Sequence, residues 1–319
     1  MNPTRSLSLI LPLALIALSG CGKSANVAGP LAHDPGATQP NDQVLAMSAL
    51  SAESQVVEDG LADSPDPTSL GGSTDAMSAI QPLTFWRTIR NVTRTFEFTF
   101  SDPDTTGRPT TAVVTIHKLL AGRFNILAGA PGTDGLPPDS AETVVHKPLE
   151  DHWVRRVLLK RVRLAGDEVE AGETGEAIWR IAASSGVRVT SKDATTQILS
   201  LRVQAMGLDT TLTDPLAFQR MRRILRFAPE TMVTLTVTTG RNNDVVVLQH
   251  AGLRFRFHNN GDDTYTGTWR TGLFAAGVHH FGINALSNGT LFDDQAAYDS
   301  VEWIFPYAIE PESLSEFMP

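Results

Sequence analysis

The chain has 319 residues, 41% of them hydrophobic and 19% charged, with a formal net charge of −9. This composition excludes a wholly disordered chain, and the length suggests about two domains. Residues 21–81 carry one lysine against eight acids, whereas residues 82–319 are nearly balanced, which argues against nucleic acid as a partner. The single cysteine, Cys21, rules out a disulfide within the chain.

Arg5 precedes an apolar stretch from Leu7 to Leu18. It is shorter than the roughly 20 residues a membrane-spanning helix needs, and it fits the apolar core of a signal peptide. Leu18-Ser19-Gly20-Cys21 follows at once and resembles the lipobox of bacterial lipoproteins. The resemblance implies cleavage before Cys21, a diacylglyceryl thioether on its sulfur and an acylated new amine, palmitate being the usual chain. Each buried methylene adds about 0.8 kcal/mol of membrane affinity, so several chains would anchor the protein firmly. The expected location is the bacterial cell envelope, with the membrane as partner through the lipid. Gly22 and Lys23 follow the cysteine, with no aspartate next to it, which points to the outer rather than the inner membrane.

Residues 22–81 are rich in Ala, Ser, Gly, Pro and Asp, with breaker clusters at Asp63-Ser64-Pro65-Asp66-Pro67 and Gly71-Gly72-Ser73. They read as a disordered acidic tether, with helical spacing only from Val44 to Val57. Strand patterns begin near Pro82. Thr95 to Phe100 alternates so that Phe96, Phe98 and Phe100 share a face, and with Thr111–Leu119 it reads as a hairpin around a turn at 101–109. Val154–Val162 suits either a strand or one helical face. Val187–Thr190 and Gln197–Gln204 are further strands. Asp214-Pro215 looks like a helix start, and Phe218, Met221 and Leu225 follow at helical spacing, which predicts a short helix over Pro215–Phe227.

From Thr231 the pattern is strongly β. Strands are predicted at Met232–Thr238, Val245–Gln249, Leu253–His258, Thr264–Trp269, Val278–Leu286 and Val301–Ile309. The expected fold class is mainly β, with a β-rich domain of unknown type over 82–227. Phe255, Phe257, Tyr265, Trp269, Ile283 and Trp303 are expected core positions. Gly261-Asp262-Asp263-Thr264-Tyr265-Thr266-Gly267-Thr268-Trp269, followed by Gly277 and Val278–Ala285, is similar to the "DGTYT" strand region of bacterial immunoglobulin-like modules. The resemblance implies an immunoglobulin-like β-sandwich over 228–319, a type of unit used as a stalk, spacer or adhesive element. The long connection from Ser287 to Ser300 departs from that pattern.

The chemistry-bearing groups are sparse. Asp102, Asp104 and Thr106 place oxygens at the first, third and fifth positions of a Ca²⁺-type loop with Gly107 sixth, but Val113 stands where a bidentate Glu belongs. A capped hairpin turn explains the same residues. His146, Glu150, Asp151 and His152 lie close in sequence, without a known zinc spacing. His279 and His280, adjacent in a strand, must face opposite ways. Two basic runs, Arg155 to Arg163 and Arg220 to Arg226, suit either anionic ligands or a solvated face. Trp86, Trp153, Trp179, Trp269 and Trp303 could stack on sugars or fill the core. No nucleophile elbow, zinc-protease motif, phosphate loop or dinucleotide fingerprint occurs. The sequence therefore points to a non-enzymatic spacer, adhesive or assembly module with no cofactor beyond a Ca²⁺ option. Its alternatives are a polysaccharide or small-ligand binder and a hydrolase with an unrecognised site, and its partners would be a protein or a glycan.

Overall fold

A computed structural model describes residues 40–53, 60–70, 80–105, 107–129, 143–163, 177–220, 223–272 and 277–309. The expected signal segment and Cys21 lie outside these residues. The fold is mainly β and is built from two sheets that are antiparallel apart from one short parallel pair. Among the described residues no helix is long and apolar enough to cross a membrane.

Four long strands form a meander: β2 (Gln81–Phe100), β3 (Thr111–Gly129), β4 (Thr143–Arg163) and β5 (Ala177–Ser191), preceded by the two-residue β1 (Thr68–Ser69). The 21 residues of β4 span about 70 Å at the rise of an extended chain. The hairpin expected at Phe96–Phe100 is present, with Phe100 opposite Ala112 and Phe96 opposite Ile116. The ambiguous Val154–Val162 lies wholly within β4. The later strands are β6 (Ile198–Ala205), β7 (Leu208–Leu212), β8 (Leu225–Phe227), β9 (Met232–Thr239), β10 (Val245–His250), β11 (Leu253–Arg256), β12 (His258–Asn259), β13 (Thr264–Arg270), β14 (Gly277–Leu286) and β15 (Ser300–Ile309).

The larger sheet runs β1-β2-β3-β4-β5-β15-β14-β10-β11, with β8 beside β15, and the smaller runs β12-β13-β9-β6-β7. The larger sheet curls until its ends meet, for Arg254 on β11 donates to the Thr68 hydroxyl on β1 at 3.3 Å. Both sheets take strands from either side of residue 228. β15 pairs with β5, and β6 pairs with β9.

The two sheets face each other across one apolar core. Val246, Leu248, Phe281, Ile283, Val301, Trp303, Phe305 and Tyr307 come from one, and Leu201, Val203, Val233, Leu235, Val237, Tyr265 and Trp269 from the other. The chain passes between sheets at Phe257, whose amide still bonds Val246 on β10 at 2.8 Å before β12 joins the smaller sheet. Its ring lies over Gly267, where an added Cβ would sit 2.5 Å from the ring, so a side chain there would expel Phe257. Five of the six expected core positions are buried. Phe255 is the exception at 42% exposure, because it lies on β11, the last strand of its sheet.

Two further expectations need correction. Pro215–Phe227 is not a helix in its described part. Asp214 does accept the Leu216 amide at 2.8 Å, but only a turn results. Gln219 then exchanges both backbone hydrogen bonds with Ser184, and β8 pairs in parallel with Tyr307–Ile309. Long-range pairing outweighs the local cap, and Phe227 is drawn into the inter-sheet core. The stretch read as tether contains helix α1 (Pro40–Ala52) and β1. Asp42, Ala46 and Leu50, four residues apart, form its buried stripe. Ala46 and Leu50 pack with Val114, Ile116, Val157, Leu159 and Trp179 on the inner face of the meander. Arg108, in the β2–β3 turn, donates to Asp42 at 2.5 Å, and the Trp179 indole donates to the same carboxylate at 3.4 Å.

The connection from Ser287 to Ser300 contains a short helix, α2 (Asn288–Phe292), capped by the Ser287 hydroxyl accepting the Thr290 amide at 3.1 Å. Lys147 reaches across from β4 to donate to the carbonyls of Gly289, Asp293 and Ala296 at 3.0, 2.6 and 2.6 Å. Burial pulls its ammonium down to about 8, against the raising influence of Asp293 and Asp294.

Trp303→Ala should therefore cost about 3–5 kcal/mol, since it empties a fully enclosed site between the sheets. Phe255→Ala should cost less than about 1 kcal/mol. Urea unfolding of the two variants side by side measures both.

Candidate functional site

The inner face of the curled sheet carries a buried charge network. Arg87 on β2 and Glu302 on β15 are 2% and 0% exposed and meet at 3.0 Å. Arg87 also donates to the Ala62 carbonyl at 3.2 Å, and Arg254 donates to the Ser64 carbonyl at 3.3 Å. Two arginines of the sheet thus hold residues 62–68 across its closing seam. Asp151 on β4 accepts from the Tyr298 hydroxyl at 3.1 Å. Burial pushes Asp151 up to about 6, although Arg87 and the Tyr298 hydrogen bond favour its charged form. Burial likewise raises the Tyr298 phenol. For Arg87, burial opposes the charge, but Tyr298, Glu302 and Asp151 outweigh it and hold the guanidinium above its ordinary range. Arg87 and Arg254 fasten the seam, and the Asp151–Tyr298 hydrogen bond ties β4 to the connection before β15.

The residues singled out from sequence are mostly dispersed. Asp104 accepts from Arg161 at 2.7 Å and from the Arg108 amide at 3.4 Å. A Ca²⁺ ion would have to compete with Arg161 for it. Asp102 is exposed, Thr106 lies outside the described residues, and Pro103 bridges Pro109 to close the turn. The four residues from His146 to His152 separate along β4. His146 faces Asn125 at 2.8 Å, Glu150 meets Lys192 at 3.4 Å, and Asp151 points inward. Trp153, Trp179, Trp269 and Trp303 are buried, so they serve the core rather than a sugar platform. The first basic run splits by strand alternation. Arg155 is buried beside Trp153, Arg156 lies over Phe218 at 4.8 Å, and Arg161 goes to Asp104. His279 packs on Tyr307, whereas His280 lines a small hollow with Arg155, Ser184 and Ser185. The two histidines do face opposite ways.

Strands β2–β5 form a four-stranded blade beyond the point where β15 leaves β5 at Val187. The outer face of the meander, at the root of this blade where β5 still pairs with β15, joins His117 on β3 to His152 on β4, with Nδ1 of the first 3.0 Å from Nε2 of the second. Glu97 on β2 lies 3.8 Å from the other nitrogen of His117. The spacing of 35 residues hides this pair from any local motif, and only the β3–β4 register brings it together. Desolvation, then His117 and Arg188, lower the basicity of His152. Among the described residues no group of three or more His, Cys, Asp or Glu side chains is placed to hold a metal ion.

The second feature is the outer edge of β2. β1 pairs only with Phe85 and Thr84. Beyond Phe85, β2 has no strand partner on that side among the described residues. A bulge between Ile89 and Asn91 divides this edge. Because the Ser101 amide turns inward to Thr111, the amides and carbonyls of Val92, Arg94, Phe96, Phe98 and Phe100 turn outward.

A pH dependence follows from the buried carboxyls. Asp244 is 3% exposed, with Thr239 and Arg241 favouring its charged form. Burial pushes it up to about 6, as it does Asp151. An unfolded aspartate titrates near 3.9, so the folded chain holds these protons more tightly. Their contribution to stability is greatest below about pH 4, falls between about pH 4 and 6, and stays lower above. Asp244→Asn should flatten part of that fall and raise Tm at pH 7 by about 2–4 °C, as measured by thermal unfolding across this range.

No protein-family model matches the sequence, no curated protein matches it, and no solved structure matches the fold.

Proposed function

We propose that this chain is a non-enzymatic, lipid-anchored envelope module that takes part in assembly by offering the open edge of β2 to an extended segment of a partner protein. The observation that carries the reading is the outward row of backbone donors and acceptors from Val92 to Phe100. An extended peptide adds to such an edge through main-chain hydrogen bonds. The segment has no proline and no bulge beyond Asn91, so it lacks two common devices that blunt sheet edges. The bulge at Ile89 and Asn91 would set where the added strand stops. The lipobox-like Leu18–Cys21 supplies the anchor. The facing sheets that meet over Tyr265, Trp269 and Trp303 are read as an immunoglobulin-like sandwich, here widened by strands from upstream of residue 228.

Two experiments test this. Cys21→Ser should abolish labelling by a palmitate analogue and move the protein from the membrane to the soluble fraction. Continued labelling would overturn the anchor. A photo-crosslinker at Thr93, beside the edge, should give one discrete adduct in the native envelope. Val92→Pro, which removes one outward amide and no inward bond, should reduce that adduct about tenfold while thermal unfolding stays cooperative. An adduct unaffected by the proline would refute edge recognition.

A further inference from the structure

We propose that His117 Nδ1 and His152 Nε2 form a two-imidazole site for a divalent transition metal, with Cu²⁺ the ion held most tightly. The two nitrogens stand 3.0 Å apart. Metal–imidazole bonds of about 2.0–2.1 Å separate two adjacent ligand nitrogens by about 2.9 Å at a right angle and about 3.4 Å at a tetrahedral angle. The observed separation matches the right angle, the arrangement that Cu²⁺ and Ni²⁺ adopt with nitrogen and oxygen ligands. Cu²⁺ stands at the head of the usual affinity order for such donors.

The rings are within 7° of parallel, with centroids 5.2 Å apart. Since the nitrogens are closer than the centroids by about two ring radii, the rings meet edge to edge and share one proton between them. The metal takes the place of that proton, which passes through solvent to Nδ1 of His152 so that both rings stay neutral, and each ring swings toward a common apex. Both side chains are free enough to do so, His117 being 30% exposed and His152 exposed. Their Cβ atoms are fixed on neighbouring strands of the β3–β4 ladder, so the pair is brought together before metal arrives.

Glu97 decides the tautomer. Its carboxylate lies 3.8 Å from His117 Nε2 and favours the proton on that nitrogen, which leaves Nδ1 as the lone pair facing His152. A carboxylate behind a ligating histidine both orients the ring and strengthens its donation. As no third His, Cys, Asp or Glu joins the pair among the described residues, water or an exogenous ligand completes the coordination. Binding is therefore exchangeable and in the micromolar range.

The test is titration of the full chain with CuCl₂, NiCl₂ and ZnCl₂, followed by calorimetry and, for copper, by electron paramagnetic resonance. The expected result is one Cu²⁺ per chain with hyperfine structure from two imidazole nitrogens, and weaker binding of nickel and zinc. His117→Asn and His152→Asn should each abolish it, Glu97→Gln should weaken it about tenfold, and His146→Asn should leave it unchanged. Thermal unfolding of each variant checks that the sheet is intact. Absence of saturable Cu²⁺ binding at micromolar metal by the unaltered chain would overturn the proposal without recourse to any variant. So would copper binding that survives in the His117→Asn/His152→Asn double variant.

Discussion

Strand β15 is buried along all ten of its residues, and most of the architecture follows from that burial. Its odd positions, Val301, Trp303, Phe305, Tyr307 and Ile309, enter the core between the sheets. Its even positions face the inside of the curled sheet, where Ile304 meets the apolar cluster beneath α1. Glu302 is on that same inner face, wholly enclosed. An enclosed carboxylate is costly unless it is paired. The partner is Arg87, three sheet neighbours beyond β5, and Arg87 in turn grips the Ala62 carbonyl. One buried charge thus couples the C-terminal strand, the first long strand and the segment that crosses the seam. Buried pairs of this kind are weak evidence for net stability, but losing one partner strands the other.

The blade poses a different physical problem. Strands of 15–21 residues outrun the pairing that β15 and β14 can provide, so their inner face needs a separate cover. Helix α1 supplies it with a narrow stripe of small and aliphatic side chains, and Asp42 fastens the helix to Arg108 and Trp179. The outer face has no such cover among the described residues. It carries Glu97, while His117 and His152 stand at its root, where β5 still pairs with β15.

Much of this was written locally in the chain. Alternation over Phe96–Phe100 and Met232–Thr238 specified strands because side chains on a pleated backbone change face at every residue. The mainly β class, the hairpin at 101–109 and five of six core positions were legible for that reason. Phe255 was not, since alternation tells which face a residue takes but not whether its strand lies at a sheet margin.

What the tertiary structure alone decided are the encounters between distant segments. Leu225–Phe227 became a strand because Tyr307–Ile309 offered it a partner, and no local cap competes with a ladder of that kind. Pro40–Ala52 became a docked helix because a bare apolar sheet face lay within its reach, although its own composition reads as a spacer. Arg87 with Glu302 and His117 with His152 are separated by 215 and 35 residues. Such pairs depend on strand order and register, and these are set by the burial of whole sheets rather than by the residues that meet.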